Sequence, residues 1–280
     1  MALSERALRA RRKWIGSSDV PAILGVSDYR NIHDVYLEKT DQVEVRVTTS
    51  DAADWGDRLE PVICAWLGER LGKKVRRGQH RRSEDGLLRA QLDGLIVETN
   101  ETVEVKTSGL LNPMWRADEA GWGADGTDVV PFGVLAQVQF AMMLANATVG
   151  HVAAFLGGGA GPRHYVIEPH PDLQAEIEKR ARAFWTESVI PRVPPIEPPH
   201  LETVRLVRRE PGKVREIDEA LLERYRDVSE QASLVKVAHD AVKAEVLAAI
   251  GDAEAGVAPT GTITYFADTR GRRQLRVRKP

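Results

Sequence analysis

Apolar residues recur along this chain at two different spacings, and the changes between them predict its elements. Val20, Ile23 and Leu24 follow helical spacing behind a turn-rich Gly16-Ser17-Ser18-Asp19, where Ser18 or Asp19 suits the cap and Pro21 the first turn. A second helix is expected over 32–38. A third is expected over 55–71, with Leu59, Ile63, Trp66 and Leu67 on one face and Gly72 as its stop. Between 87 and 107 the period becomes two, and Thr99-Asn100-Glu101 supplies a polar turn, so this stretch predicts a β-hairpin. A loop rich in Gly and Asp over 121–128 precedes a strongly apolar helix over 132–144. Strands are expected over 149–156 and 164–167, divided by Gly157-Gly158-Gly159, and an amphipathic helix over 172–188.

Five of the nine residues from Pro191 to Pro199 are prolines and lack an amide hydrogen, so neither a helix nor a central strand forms there. This marks a boundary: one domain over 1–190, a proline-rich linker over 191–213, and an appendage over 214–280. A helical pattern over 217–250 carries a 3.5-residue seam through Leu221, Tyr225, Val228, Ala232, Val235, His239, Val242 and Val246, which suits either a helical hairpin or a partner-binding helix. The stretch 262–277 alternates like a small hairpin with Arg270-Gly271 in the turn.

Among 280 residues, 42% hydrophobic, there is enough apolar material for a substantial core, but no run long enough to span a bilayer. A soluble, cytoplasmic protein is expected. The lone Cys64 excludes an intrachain disulfide or a cysteine-bound cluster and suits a buried apolar position. Net charge is only −2, yet the positive charge is blocked. Residues 6–13 carry Arg6, Arg9, Arg11, Arg12 and Lys13; 70–82 hold seven Lys or Arg and no acid; 270–279 hold six more.

Against that background one constellation carries chemistry. Asp93-Gly94 is followed across the predicted hairpin by Glu104-Val105-Lys106. Residues two apart on a strand share a face, so Glu104 and Lys106 project together while Val105 points into the core, and Asp93 can lie beside them. Converging carboxylates call for a compensating cation, and a hard divalent ion, Mg2+ with Mn2+ as a substitute, suits oxygen ligands. Asp93, Glu104 and the Val105 carbonyl would hold it against a phosphate oxygen. Lys106 would orient or deprotonate a water, and Glu60 could share a second metal. Acids between apolar strand residues, Glu60 on an otherwise apolar helix face, and Gln137 and Gln139 inside the most apolar helix each call for a reason.

These residues resemble the YqaJ-like viral recombinases, which include the phage lambda exonuclease and belong to the PD-(D/E)xK nucleases. The matching pieces are Ile15-Gly16-Ser17-Ser18-Asp19 with Ala22-Ile23-Leu24-Gly25, Trp55-Gly56 with Glu60-Pro61, Asp93-Gly94-Leu95, Glu104-Val105-Lys106 and Ala136-Gln137-Val138-Gln139, in that order over about residues 10–190. The resemblance implies an α/β (α+β) core with a mixed central sheet flanked by helices, to which the sequence adds a helical C-terminal appendage ending in a small hairpin. It implies an exonuclease that degrades double-stranded DNA from the 5′ end during phage or prophage recombination, leaving a 3′ overhang for a single-strand annealing protein. It further implies Asp93 and Glu104 as metal ligands, Lys106 as base or positioner, Glu60 as an outer acid, and Gln137 near phosphate or nucleophile. Arg11 or Arg12 with Ser18 would hold the terminal phosphate, and a trimer is the family precedent for assembly. Gln91-Leu92-Asp93-Gly94 stands where the family often has Ser-Pro-Asp-Gly, and Lys106-Thr107-Ser108 where it often has Lys-Cys-Pro. An endonuclease that cuts internally, or a DNA-binding scaffold with an inert acidic cluster, are the competing readings.

Overall fold

The alternating stretch at the centre of the chain builds parts of two sheets rather than one. The computed structural model describes residues 9–44, 51–112, 114–267 and 273–278, and the chain divides into two compact units, Met1–Arg209 and Glu210–Pro280. The first unit opens with β1 (Ile15–Gly16), a 3-10 turn over Ser17–Asp19, α1 (Val20–Ile23), α2 (Ile32–Lys39) and α3 (Asp51–Leu71). Next come β2 (Val75–Arg76), β3 (Gln79–Arg82), β4 (Leu88–Leu92), β5 (Gly94–Ile96) and β6 (Glu101–Ser108). The unit continues with α4 (Phe132–Ala145), β7 (Gly150–Leu156), β8 (Gly161–Ile167), α5 (Pro171–Phe184), which runs on as a π-helical turn over Trp185–Val189, and α6 (Leu201–Val204).

A five-stranded mixed sheet has the order β2-β5-β6-β7-β8, in which only the β6–β7 pair is parallel. The predicted hairpin is there, with Gly94 opposite Val103 and its turn closed by Asn100 at a positive φ of 55°. A second sheet, β1-β4-β3, pairs β4 in parallel with β1 and antiparallel with β3. Helices flank the mixed sheet, as the family resemblance implies. The strands β1 and β2, two residues each, were not expected, and β3 lies inside what the sequence presents only as a basic block.

Three apolar clusters fill the unit, and α4 serves two of them. Ala136 and Phe140 pack with Ile15, Leu92 and Ile177, while Val138 and Met142 pack with Val152 and Tyr165. A helix apolar on every side is one buried on every side, which accounts for the composition over 132–145. On the other side of the sheet, Ile63 and Leu67 of α3 meet Ile96, Val103 and Ala153, with Val105 against them. Gly94 is required where β2, β5 and β6 close together, because a Cβ there would come within 2.5 Å of Val75 Cγ1 and 3.2 Å of Val103 Cβ.

The proline-rich segment corrects the expected linker over 191–213: as far as Arg209 it is part of the first unit. Prolines cannot donate, but carbonyls in the segment can accept. Arg192 O accepts from the Tyr36 hydroxyl at 2.9 Å, Glu197 O from His33 Nδ1 at 2.7 Å and Pro198 O from Asn31 Nδ2 at 2.7 Å. All three donors lie at or near α2.

In the second unit α7 (Glu219–Ile250) is one unbroken helix, so the helical-hairpin alternative does not occur. It is followed by an antiparallel sheet of β9 (Ala255–Ala258), β10 (Gly261–Ala267) and β11 (Arg273–Arg278). The expected terminal hairpin is thus joined by a third strand, β9. Its turn residues Arg270 and Gly271, with Lys279 of the basic tail and Arg6 of the N-terminal block, lie outside the described residues. Among the described residues no helix is long and apolar enough to cross a membrane.

One charged pair is buried at the heart of the first unit. Asp19 Oδ2 lies 2.6 Å from Lys39 Nζ and accepts from the Gly16 amide at 2.9 Å, with Arg30 3.4 Å from its other oxygen. Burial works against the charge of Asp19, but Lys39 and Arg30 outweigh it and hold the carboxyl below its usual range. Its stabilising contribution is therefore complete above the unfolded value, about pH 4, and fades as pH falls through the lower folded value. Asp19→Ala leaves buried Lys39 with only the more distant Glu38 carboxylate at 3.9 Å among the described residues, and urea unfolding at pH 7 is expected to register a loss of about 3 kcal/mol. Adding Lys39→Met should recover part of that loss.

Candidate active site

Asp93 is the residue at which the chain leaves one sheet for the other, between the last residue of β4 and the first of β5. Because the β5–β6 ladder stops at Gly94–Val103, the amide of Val105 has no strand partner, and Asp93 Oδ2 accepts from it at 2.8 Å. In a strand the carbonyl of the same residue faces the same edge, so the Val105 carbonyl is turned toward Asp93. The Val105 side chain alternates into the core, as expected.

Glu104 and Lys106 share the other face of β6. Lys106 Nζ donates to Glu104 Oε1 at 2.6 Å and to Gln137 Oε1 of α4 at 2.6 Å. Asp93, Glu104, Lys106 and Gln137 are all half-buried and line one cleft of about 710 Å3. Burial, and next the charge of Glu104, push the Asp93 carboxyl up to about 8 against the pull of the Val105 amide and Lys106. Burial opposes the charge of Lys106, but Glu104 and Asp93 more than compensate and raise its pKa. One oxygen of Asp93 and one of Glu104 make no hydrogen bond among the described residues. Two part-free carboxylate oxygens beside a backbone carbonyl make an oxygen donor set short of positive charge. That set fits a hard divalent cation, which keeps several waters and needs few protein ligands. Among the described residues no three His, Cys, Asp or Glu side chains converge, so Glu60 does not join Asp93 and Glu104 in one ligand set.

The cleft also contains Arg11 and Ser18, joined by a hydrogen bond from Arg11 Nη2 to Ser18 Oγ. Pairing of β1 with β4, Gly16 opposite Arg89, brings this N-terminal element alongside Asp93. Lys39 Nζ donates to Arg11 O at 3.0 Å, tying the element to the buried pair with Asp19.

Two sequence candidates stand apart. The Arg12 guanidinium turns away from the cleft to the carboxylate of Asp41 and to Val43 O at 2.8 Å, because neighbouring side chains project in different directions. Glu60 does not line the cleft and is held by Arg77 at 2.8 Å, although its charge adds to the rise at Asp93. The two glutamines of α4 also divide. Gln137 serves Lys106, whereas buried Gln139 donates to Glu168 O and accepts from the His170 amide and Gln174, which makes it a structural clasp. Cys64 is buried beside Asp93 O, and burial pushes its thiol up to about 12, which leaves it unreactive.

Sequence reasoning missed Trp14 and Arg89, and it did not separate Arg81 and Arg82 from their block. Arg89 lies over the Trp14 ring, 4.3 Å from its centroid, and both line the cleft. The block over 70–82 splits by function. Arg70, Lys73 and Arg77 are neutralised by Asp125, Glu101 and Glu60. Arg81 and Arg82 line the cleft with Arg11 and Arg89, and none of these four makes an ion pair among the described residues. Alternation along β4 was the only signal pointing to Arg89.

Residues 8–148, half of the chain, match the model of the YqaJ-like viral recombinase domain. The uncharacterized protein YqaJ of Bacillus subtilis (strain 168) is 30% identical over 188 residues, 64% of this chain and 54% of that protein. The chain thus spans about half the length of that relative. The alkaline exonuclease LHK-Exo from Laribacter hongkongensis matches with a TM-score of 0.52 at 18% identity, over 68% of this chain and 94% of that one, and its complex with dAMP gives 0.53. That likeness is one of fold. With half its length matched in sequence and its fold shared with such exonucleases, the chain belongs to the YqaJ-like viral recombinase family.

Proposed function

We propose that this chain is a divalent-metal-dependent nuclease of duplex DNA, an exonuclease working from the 5′ end in phage or prophage recombination. The observation that carries this is the composition of one cleft. Two part-free carboxylates, a clamped lysine and four arginines without acidic partners among the described residues face the same space. Unneutralised guanidinium groups suit a polyanion, and the paired acids suit the metal that phosphodiester hydrolysis uses.

Asp93 and Glu104, with the Val105 carbonyl, would hold Mg2+, or Mn2+ in its place. When bound, the ion supplies positive charge against a phosphate oxygen and lowers the pKa of a water. The chain's own residues do the rest. Val105 N–H fixes Asp93 Oδ2 so that the other oxygen is presented without a search among rotamers. Lys106 has three N–H donors, of which two are spent on Glu104 and Gln137. The third remains to orient a water or a phosphate oxygen, which favours a positioning role over that of a base. Arg11 with Ser18 forms a clamp for a terminal phosphate, a planar fork beside a hydroxyl. Arg81, Arg82 and Arg89 would follow the backbone of the strand. Glu60 acts from outside this shell. The free overhang would pass to an annealing protein, and a homotrimer follows the family precedent.

Lys106→Ala and Asp93→Asn are each expected to lower Mg2+-dependent hydrolysis of linear duplex at least about a hundredfold. Their urea midpoints should stay close to that of the parent, and full activity in either variant would overturn the site. On linear, 5′-dephosphorylated and closed circular duplexes, the parent should degrade the first fastest and leave the circle intact. Cutting of the circle would establish the endonuclease reading instead, and no hydrolysis of any substrate with Mg2+ or Mn2+ the scaffold reading. Arg11→Ala should abolish the preference for a 5′-phosphorylated end. The double variant Arg81→Ala/Arg82→Ala should weaken binding at all ends alike and flatten its salt dependence by roughly 1–2 in the log-log slope.

A further inference from the structure

The second unit carries a long helix whose apolar seam faces solvent. Leu221, Tyr225, Val228, Val235 and Val242 are between 48 and 71% exposed. They fall on alternate steps of four and three residues with Ala232 and His239, the 3.5-residue repeat that keeps a helix face against another helix over many turns. Scattered surface hydrophobics are ordinary, and Leu234 and Val237, exposed off this line, need no more explanation. Five large residues on one seam of an unbroken 32-residue helix do need it. Toward its C-terminal end the helix finds cover among the described residues of its own unit, where Ile250 is buried and sits against Gly256.

We infer that α7 pairs with α7 of a second copy of this chain as an antiparallel two-helix coiled coil. The seam residues argue against the parallel orientation. In a parallel pair, β-branched residues belong at the first core position of the heptad and Leu at the fourth. Here the fourth is held by Leu221, Val228, Val235 and Val242, and the first by Tyr225, Ala232, His239 and Val246, so only Leu221 and Val246 follow that preference. Parallel pairing in register would also set His239 against His239 of the second copy. Turned antiparallel, the same seam packs Tyr225 on Val242, Val228 on His239 and Ala232 on Val235 of the second copy. Ala232, the smallest side chain of the seam, then lies nearest the two-fold axis.

Charge agrees with this orientation. The antiparallel register brings Arg224 of one helix beside Glu245 of the other, twice by symmetry. Among the described residues neither Arg224 nor Glu245 makes an ion pair within the chain. In the parallel register Arg224 would face Ser229, and Glu245 would face Ile250. An isologous contact of this kind closes on itself and requires nothing from the nuclease cleft.

The full chain is measured by light scattering after size exclusion and by sedimentation over a range of concentrations. Val235→Asp is expected to halve the mass of the assembly with helix content unchanged by circular dichroism. Arg224→Glu should weaken association about tenfold, and Arg224→Glu/Glu245→Arg should restore it. Chains carrying Arg224→Cys and Glu245→Cys should crosslink on oxidation when mixed, and neither should crosslink alone. An unchanged mass in Val235→Asp overturns the proposal and leaves the seam to another protein or to the rest of the chain. Failure of the double charge swap to restore association, or crosslinking that does not require mixing, overturns the antiparallel register. Nuclease activity persisting in all these variants is expected, so loss of dimerisation and loss of the catalytic site are separately visible.

Discussion

An amide without a strand partner is the constraint from which the site is built. When the chain turns out of the mixed sheet at Asp93, the N–H of Val105 is left on a strand edge inside the protein. A buried amide left unbonded costs about 1–3 kcal/mol. The carboxylate of Asp93 removes that cost, and in doing so is fixed beside the strand that carries Glu104 and Lys106. The same bond that completes the sheet thus places an acid next to an acid. The cost of that proximity appears as the raised pKa of Asp93, offset in part by the Val105 amide and by Lys106.

Around this point the fold sorts charge. Most cations of the basic stretch before β3 are paired with acids, and those that line the cleft are left open. The N-terminal element is held from beneath by a salt bridge in the core, so Arg11 and Ser18 rest on a rigid support rather than on a loop alone. From the opposite side α4 reaches the lysine with one glutamine and secures its own position with the next.

Much of this was legible in the sequence, and the remainder was hidden for identifiable reasons. The β5–β6 hairpin and its two catalytic candidates could be read because period-two alternation reports which side chains share a face. Trp55-Gly56 was legible as a motif, and its reason is now physical: a Cβ on Gly56 would stand 3.2 Å from Thr107 Oγ1, where α3 crosses β6. The strand β1 could not be read, because two residues carry no period and acquire meaning only from the neighbour they pair with. Arg11 and Arg12 are equivalent in sequence, yet only a three-dimensional partner, Asp41, takes the second of them out of the cleft. Glu60 was drawn away by Arg77 in the same manner, since spacing reports nearness but not a competing bond. The role of the proline-rich segment is hidden because composition reports its missing donors and not the carbonyls that remain as acceptors.

That last feature bears on how such a chain can be dissected or recombined. Since the carbonyls of Arg192 and Pro198 and the amide of His200 hold Tyr36, Asn31 and Asp34, the first unit has its natural seam some twenty residues beyond its last long helix. A fragment cut at the prolines would leave those partners of α2 to water and lose a strap across the element that carries Lys39. Any exchange of terminal modules between relatives that preserves the first unit has to splice after this strap, near Arg209, and not at the compositional break before it.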